Sequence, residues 1–146
     1  MCIRDRSDKL KGNIDLIPNM VSEIVRWQSP VAHMCRTAMD DVEVGGKTIR
    51  KSDKVAIWYL SGNRDAAHFA DADRLVIDRA NVRQHLSFGY GIHRCLGNRL
   101  AEMQLTILWQ EIMQRFAHVE VVGEAKYLNS SFIRGITELP TRVHDR

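Results

Sequence analysis

The stretch Phe88–Ala101, FGYGIHRCLGNRLA, carries the residue types best suited to chemistry in this chain. Cys95 stands at the start of a long apolar-periodic run. Backbone N–H groups in the first turn of a helix lack intrahelical partners, and with the macrodipole they favour a thiolate. Gly97, two residues on, allows close backbone approach to the sulfur. Gly89 and Gly91 let the preceding segment bend tightly, and Phe88 can pack beside it. A soft thiolate held against an apolar wall suits an iron ligand. Other readings of the same residues stand beside this one. An isolated cysteine at a helix start is commonly a small buried residue. His93 and Cys95 supply half of a zinc site, with no second ligand pair at suitable spacing. Gly89-x-Gly91 departs from the dinucleotide-binding pattern, whose third glycine would fall on Arg94. Ser61, His68 and Asp71 could be drawn as a triad, but nothing local resembles a nucleophile elbow.

The elements that must position these residues read as mainly α with small β-sheets, an α+β class. From Leu16 the pattern is helical, with Asn19 a possible N-cap and Met20, Ile24 and Trp27 near helical spacing. Pro30 ends that helix, because it pushes Ser29 out of the helical region. Val42 and Val44 alternate with charge, Gly45-Gly46 is a hairpin signal, and Thr48–Arg50 returns antiparallel. Lys54–Leu60, KVAIWYL, reads as a buried strand, and residues 63–81 as an irregular connector. Leu96–Phe116 reads as a helix about 30 Å long at 1.5 Å per residue. One apolar stripe holds Leu100, Met103 and Ile107; the other holds Ala101, Leu105, Leu108, Ile112 and Phe116. Two stripes predict contact on two sides, as for an interior helix of a larger protein. Val119–Val122 reads as a short strand, and Phe132–Val143 as a hairpin closed near Leu139-Pro140.

Composition bounds the function. At 146 residues, 45 % apolar and 27 % charged, the chain fits one ordinary globular domain or a piece of one. The net charge of +3 is too small to argue for nucleic acid as a partner. No apolar run approaches the roughly 20 residues of a transmembrane anchor. Cys2, Cys35 and Cys95 are far apart and odd in number, which predicts a reducing, cytoplasmic compartment and no disulfide framework. Residues 1–6, MCIRDR, lack the apolar core of a signal peptide. They resemble translated adapter sequence, are expected to be a non-native leader, and leave 7–146 as the folding portion.

The spacing Phe88-x-x-Gly91-x-His93-x-Cys95-x-Gly97-x-x-x-Ala101 resembles the haem-ligand signature of the cytochrome P-450 monooxygenases in its bacterial form. A second motif agrees with it. Glu23-x-x-Arg26, on the helix before Pro30, resembles the family's buried charge pair, and Arg74 in Asp73-Arg74-Leu75 matches the arginine that completes that network. The resemblance runs from about Leu16 to the C-terminus. The runs SEIVRWQSPVAHM, WYLSGNRD, RQHLSFGYGIHRCLGNRLAEMQL and SSFIRG are most similar to the bacterial alkane and fatty-acid terminal hydroxylases.

The resemblance implies haem b held through iron by Cys95, with Phe88, Gly91 and Gly97 shaping the site. Where relatives carry a propionate-binding arginine this chain has Cys35. Its neighbour Arg36 is the nearest candidate but would face the other way in a strand, which leaves His93 ahead of Arg36 as the propionate contact. Ala70, Ala72 and Leu75 also depart from the family, which commonly has proline at the first two and phenylalanine at the third. Val31, Ala32, His33, Phe132 and Ile133 match positions that line the substrate pocket. The activity implied is hydroxylation of an apolar chain with O2 and electrons from NAD(P)H, delivered by a ferredoxin and its reductase. The family's oxygen-activating helix lies upstream of Glu23, so the chain is expected to be the C-terminal third of such an enzyme. It then holds no catalytic residue beyond the haem ligand. The rival expectations are a truncated, inactive haem-binding fragment and a haem-free interaction domain.

Overall fold

The computed structural model describes residues 3–146, with side chains from Asp8 onward. Met1 and Cys2, the first part of the expected leader, lie outside the described residues, and the backbone from Ile3 forms α1 (Ile3–Gly12). Helix α2 (Ile17–Gln28) is the centre of the fold. Pro18 sits in its first turn, where a missing N–H costs nothing. Asn19 is therefore inside the helix and not its N-cap. Its Nδ2 donates to the carbonyls of Ile77 and Arg79 at 3.0 and 3.1 Å, which ties the connector to α2. At the other end Ser29 takes a left-handed conformation (φ 44°) and donates its N–H to Val25 O at 3.0 Å, with Pro30 next in sequence.

Four two-stranded antiparallel sheets follow. β1 (Met34–Thr37) pairs with β4 (Lys54–Ile57), placing Cys35 opposite Ala56 and Arg36 opposite Val55. β2 (Val42–Val44) and β3 (Lys47–Ile49) form the expected hairpin, with Gly45 and Gly46 at φ 58° and 74°. Both positive φ values fit the twist of a tight two-residue turn. The segment expected to be a buried strand divides. β4 ends at Ile57 and is largely exposed because one short partner covers it, and Tyr59–Asn63 forms the short helix α3. Residue 63, expected to open the irregular connector, ends α3 instead; residues 64–81 hold no regular element, as expected, yet bury Phe69, Ala72 and Ile77.

The long helix α4 spans Asn98–Arg115. Met113 joins Leu10, Ile17, Met20, Val21 and Ile77 in the main apolar cluster, with Leu105 and Trp109 packed against it. Leu100, Met103, Ile107 and Leu108 remain exposed. The Leu100, Met103 and Ile107 stripe is thus wholly bare, while the other is half-buried except at Leu108. β5 (Phe116–Val121) pairs with β8 (Thr141–Asp145), and β6 (Lys126–Tyr127) pairs with β7 (Ile136–Glu138). The expected hairpin at Leu139-Pro140 is therefore absent. The chain on either side of Pro140 joins different partners, because β8 is drawn back to β5. No helix among the described residues is long and apolar enough to cross a membrane.

Candidate functional site

The loop that carries Cys95 is built from its backbone. Gly89 and Gly91 both have positive φ (71° and 77°). A side chain at Gly89 would also press on the Tyr59 hydroxyl, 3.3 Å from the position of its Cβ. The loop closes where Cys95 N–H donates to Phe88 O at 2.9 Å and Arg94 N–H donates to Gly91 O at 3.1 Å. Cys95 then lies just before Gly97, the N-cap of α4, and its thiol is exposed. A Cβ on Gly97 would lie in ordinary van der Waals contact with Cys95 Sγ, at 4.0 Å, so Gly97 sits beside the sulfur. Around it Tyr90, Ile92 and Leu96 are 83, 96 and 101 % exposed, continuous in sequence with the bare stripe of α4. Apolar side chains this exposed around one thiol mark a surface that another apolar body covers.

Three buried polar residues anchor this loop to α2, and sequence reasoning missed all of them. Asn63 Nδ2 donates to Ser29 Oγ and to Ser87 Oγ, both at 2.8 Å, while its Oδ1 accepts Leu86 N–H at 2.7 Å. Ser87 Oγ donates to Val25 O at 2.7 Å. The end of α2 and the start of the loop thus share one amide. In sequence Asn63 sits in the polar run Ser-Gly-Asn-Arg-Asp, which carries no burial signal. His85 was also missed. Its Nδ1 accepts Ser87 N–H at 3.2 Å, and its ring lies 5.5 Å from Phe88. Burial, reinforced by the positive charges of Arg94 and Arg26, lowers its pKa from 6.5 to about 4.

That shift has a sign. The folded state disfavours imidazolium, so stability is intact above pH 6.5 and falls as pH drops from 6.5 towards 4. The full loss is about 3 kcal/mol for a shift of this size. Urea midpoints for wild type and His85→Gln at pH 7 and pH 4.5 should show a smaller acid loss in the variant. Equal losses would remove His85 from the acid response.

Behind the loop, Glu23 and Arg26 are fully buried on α2 and paired at 2.7 Å. The second arginine on Glu23 is Arg79, whose Nε lies 3.1 and 3.2 Å from the two carboxylate oxygens. The expected Arg74 does not fill that place. Its guanidinium is exposed, 3.6 Å from Asp71, and it is the Arg74 carbonyl that accepts from Arg26 Nη2 and Arg79 Nη2 at 3.1 and 3.3 Å.

The expected pocket residues do come together. Ala32 N–H donates to Phe132 O at 2.9 Å, and Val31 bridges Ile133. His33 packs against Trp58 at 4.6 Å and edge-on against Phe132 at 5.9 Å, with its Nδ1 buried and without a hydrogen-bond partner among the described residues. A separate groove of about 760 Å³ between α2, α4 and β5 shares none of these residues. His93 is exposed, two residues before Cys95. Arg36 turns its Nη1 back onto Cys35 O at 2.9 Å.

An exposed thiol beside a glycine N-cap, within an apolar surround, fits a flat apolar macrocycle ligated by Cys95. The chain is 44 % identical over 135 residues to linalool 8-monooxygenase of Pseudomonas putida, covering 92 % of this chain and 33 % of the relative. It is 42 % identical over 138 residues to a methyl-branched lipid omega-hydroxylase of Mycobacterium bovis, covering 93 % and 32 %. The chain spans about a third of the length of these relatives. The solved structure of cytochrome P450-153 from Novosphingobium aromaticivorans superposes with a TM-score of 0.92 at 45 % identity, over 97 % of this chain and 36 % of that one. Residues 4–138 match the family model described as Cytochrome P450, and the chain belongs to that family.

Proposed function

We propose that these residues form the proximal half of a haem-thiolate monooxygenase that hydroxylates a hydrocarbon-rich chain. The observation that carries this reading is the exposed Cys95 thiol, fixed by the Phe88 hydrogen bond at the start of α4 within an apolar surround. Haem b, when bound, supplies the dioxygen activation that inserts one oxygen atom into a C–H bond, with electrons from NAD(P)H. Cys95 would hold the iron, and an anionic sulfur donates electron density to it. Phe88, Gly91 and Gly97 would shape the proximal wall, Gly91 through its positive φ and Gly97 beside the sulfur. His93 would meet a propionate. Arg36, bonded to its own strand, is the weaker candidate for that contact.

Val31, Ala32, His33, Phe132 and Ile133 would line the substrate side. The backbone bonds between residues 30–32 and 132–134 hold that wall together. Its apolar make-up supports an alkane or fatty-acid chain, as do relatives named for oxidation of linalool at carbon 8 and of methyl-branched lipids at the omega carbon. His33 Nδ1 offers one buried acceptor or donor to a polar end of the substrate. The test is turnover by the full-length, haem-loaded enzyme with labelled dioxygen, a ferredoxin, its reductase and a medium-chain alkane or fatty acid. The expected result is one labelled oxygen in a terminal alcohol. Product that carries label from water, or none above a haem-free control, would overturn the reading.

A second reading concerns the 146 residues alone, and the one-third coverage of relatives supports it. They would bind haem through Cys95 without turning substrate over. Haem titration followed by the same turnover assay separates the two.

The electron donor would dock on the face that carries Cys95, since the shortest path to the iron runs there. Arg94 and Arg99 are exposed on that face and suit an acidic ferredoxin. Complementary charge acts mainly on encounter rate. Reduction of the full-length enzyme should slow as salt screens charges beyond about 8–10 Å. Arg94→Glu and Arg99→Glu should be slower at low salt and nearly salt-independent, with the haem spectrum unchanged. An unaltered salt dependence in both variants would move the docking site elsewhere.

A further inference from the structure

Three ligand-type side chains share one face of the β5–β8 sheet. His118 lies directly opposite His144 in the antiparallel register, and Glu120 lies opposite Arg142. Residues two apart on a strand point to the same side. The two imidazole rings stack with centroids 4.0 Å apart and planes 8° from parallel. Glu120 Oε2 lies 3.0 Å from His144 Nε2. One donor atom from each of the three falls within 4.8 Å of the others. Nothing in the monooxygenase reading uses these residues.

We propose that His118, Glu120 and His144 bind a divalent cation of the zinc class. Two imidazoles and one carboxylate suit zinc, nickel or copper, whereas calcium and magnesium prefer all-oxygen sites. Ligand atoms about 2.0–2.1 Å from a tetrahedral zinc are roughly 3.3 Å from one another. The Glu120–His144 pair already stands near that spacing. His118 reaches it by a modest side-chain rotation, which its exposed position permits. Three protein ligands leave the fourth position to water. Arg142, with Nη1 3.9 Å from Glu120 Oε2, is the cation that opposes binding. A bound ion would clip β8, the last strand, onto β5, which continues directly from α4.

The test uses the whole 146-residue chain, titrated with Co²⁺ for its ligand-sensitive absorption and with Zn²⁺ by calorimetry. One ion per chain is expected, with tetrahedral cobalt bands and no thiolate charge-transfer band. Loss even of an outer-shell partner costs about 10–100-fold in metal affinity, so His118→Ala and His144→Ala should each weaken binding at least tenfold. Arg142→Gln should tighten it about two- to fivefold by removing a like charge. These positions lie on the surface sheet, so far-UV circular dichroism should match wild type in every variant. No bound ion, a thiolate band that places the ion at Cys95, or unchanged affinity in both histidine variants would overturn the proposal.

Discussion

Cys95→Ala should abolish the red-shifted Soret band that thiolate ligation gives the reduced carbon monoxide complex of the full-length enzyme, and turnover should fall to background. Cys35→Ala should keep both. The contrast is sharp because the two cysteines are alike in exposure and differ in surroundings. Cys35 lies in β1 opposite Ala56, whereas Cys95 lies between the closed loop and the N-cap of α4. Truncating an exposed side chain typically changes stability by no more than about 0.5 kcal/mol. The Cys95 N–H to Phe88 O bond is main-chain and survives the substitution. A lost band would therefore report a lost ligand and not a lost fold, provided the melting temperature of the haem-free protein is unchanged. A thiolate spectrum retained in Cys95→Ala would assign the iron to another residue.

How much of this site the sequence reveals depends on the range of the interaction. The Phe88–Ala101 spacing is local, so glycine placement and helix start are both readable from residue type, and both match the backbone. The hairpin at Gly45-Gly46 is local too. Long-range pairings were not legible. Thr141–Asp145 has the composition of a hairpin return, yet it pairs with Phe116–Val121, and no local signal chooses between those partners. Arg74 and Arg79 lie in one connector without periodicity, so neither type nor spacing says which guanidinium turns inward. The Asn19 bonds to the carbonyls of residues 77 and 79 tie the chain at Arg79 to α2, and the letter Asn19 suggests a cap instead. Asn63 hides for a similar reason: a buried amide and a turn amide have the same letter. Periodicity shows that α4 carries a second apolar stripe, but it cannot say what that stripe, bare here, would meet.

The charge network behind the loop gives the second large effect. Glu23 accepts from Arg26 Nε at 2.7 Å, Arg26 Nη2 at 2.8 Å, Val76 N at 2.8 Å and Arg79 Nε at 3.1 and 3.2 Å. One carboxylate thus faces two buried guanidiniums. The excess positive charge is spread over the carbonyls of Asn63, Ala72 and Arg74 for Arg26, and of Ala70, Asp71 and Arg74 for Arg79. Both guanidiniums also lie over the Phe69 ring, at 5.1 and 5.9 Å. Glu23→Ala would leave two cations buried side by side without their shared anion. Removing one partner of a buried pair costs about 3–5 kcal/mol, a large part of the roughly 5–15 kcal/mol that holds a domain together. The expected result is little soluble holoprotein and a sharply lowered melting temperature, not a stable enzyme with altered specificity. Arg79→Ala should approach the same loss. Arg74→Ala should cost little, because the network uses the Arg74 carbonyl, which any residue at that position supplies. If Arg74→Ala were as damaging as Glu23→Ala while Arg79→Ala were mild, the network would be assigned to the wrong arginine. Normal haem incorporation in Glu23→Ala would show that Arg26 and Arg79 are held by the backbone carbonyls alone.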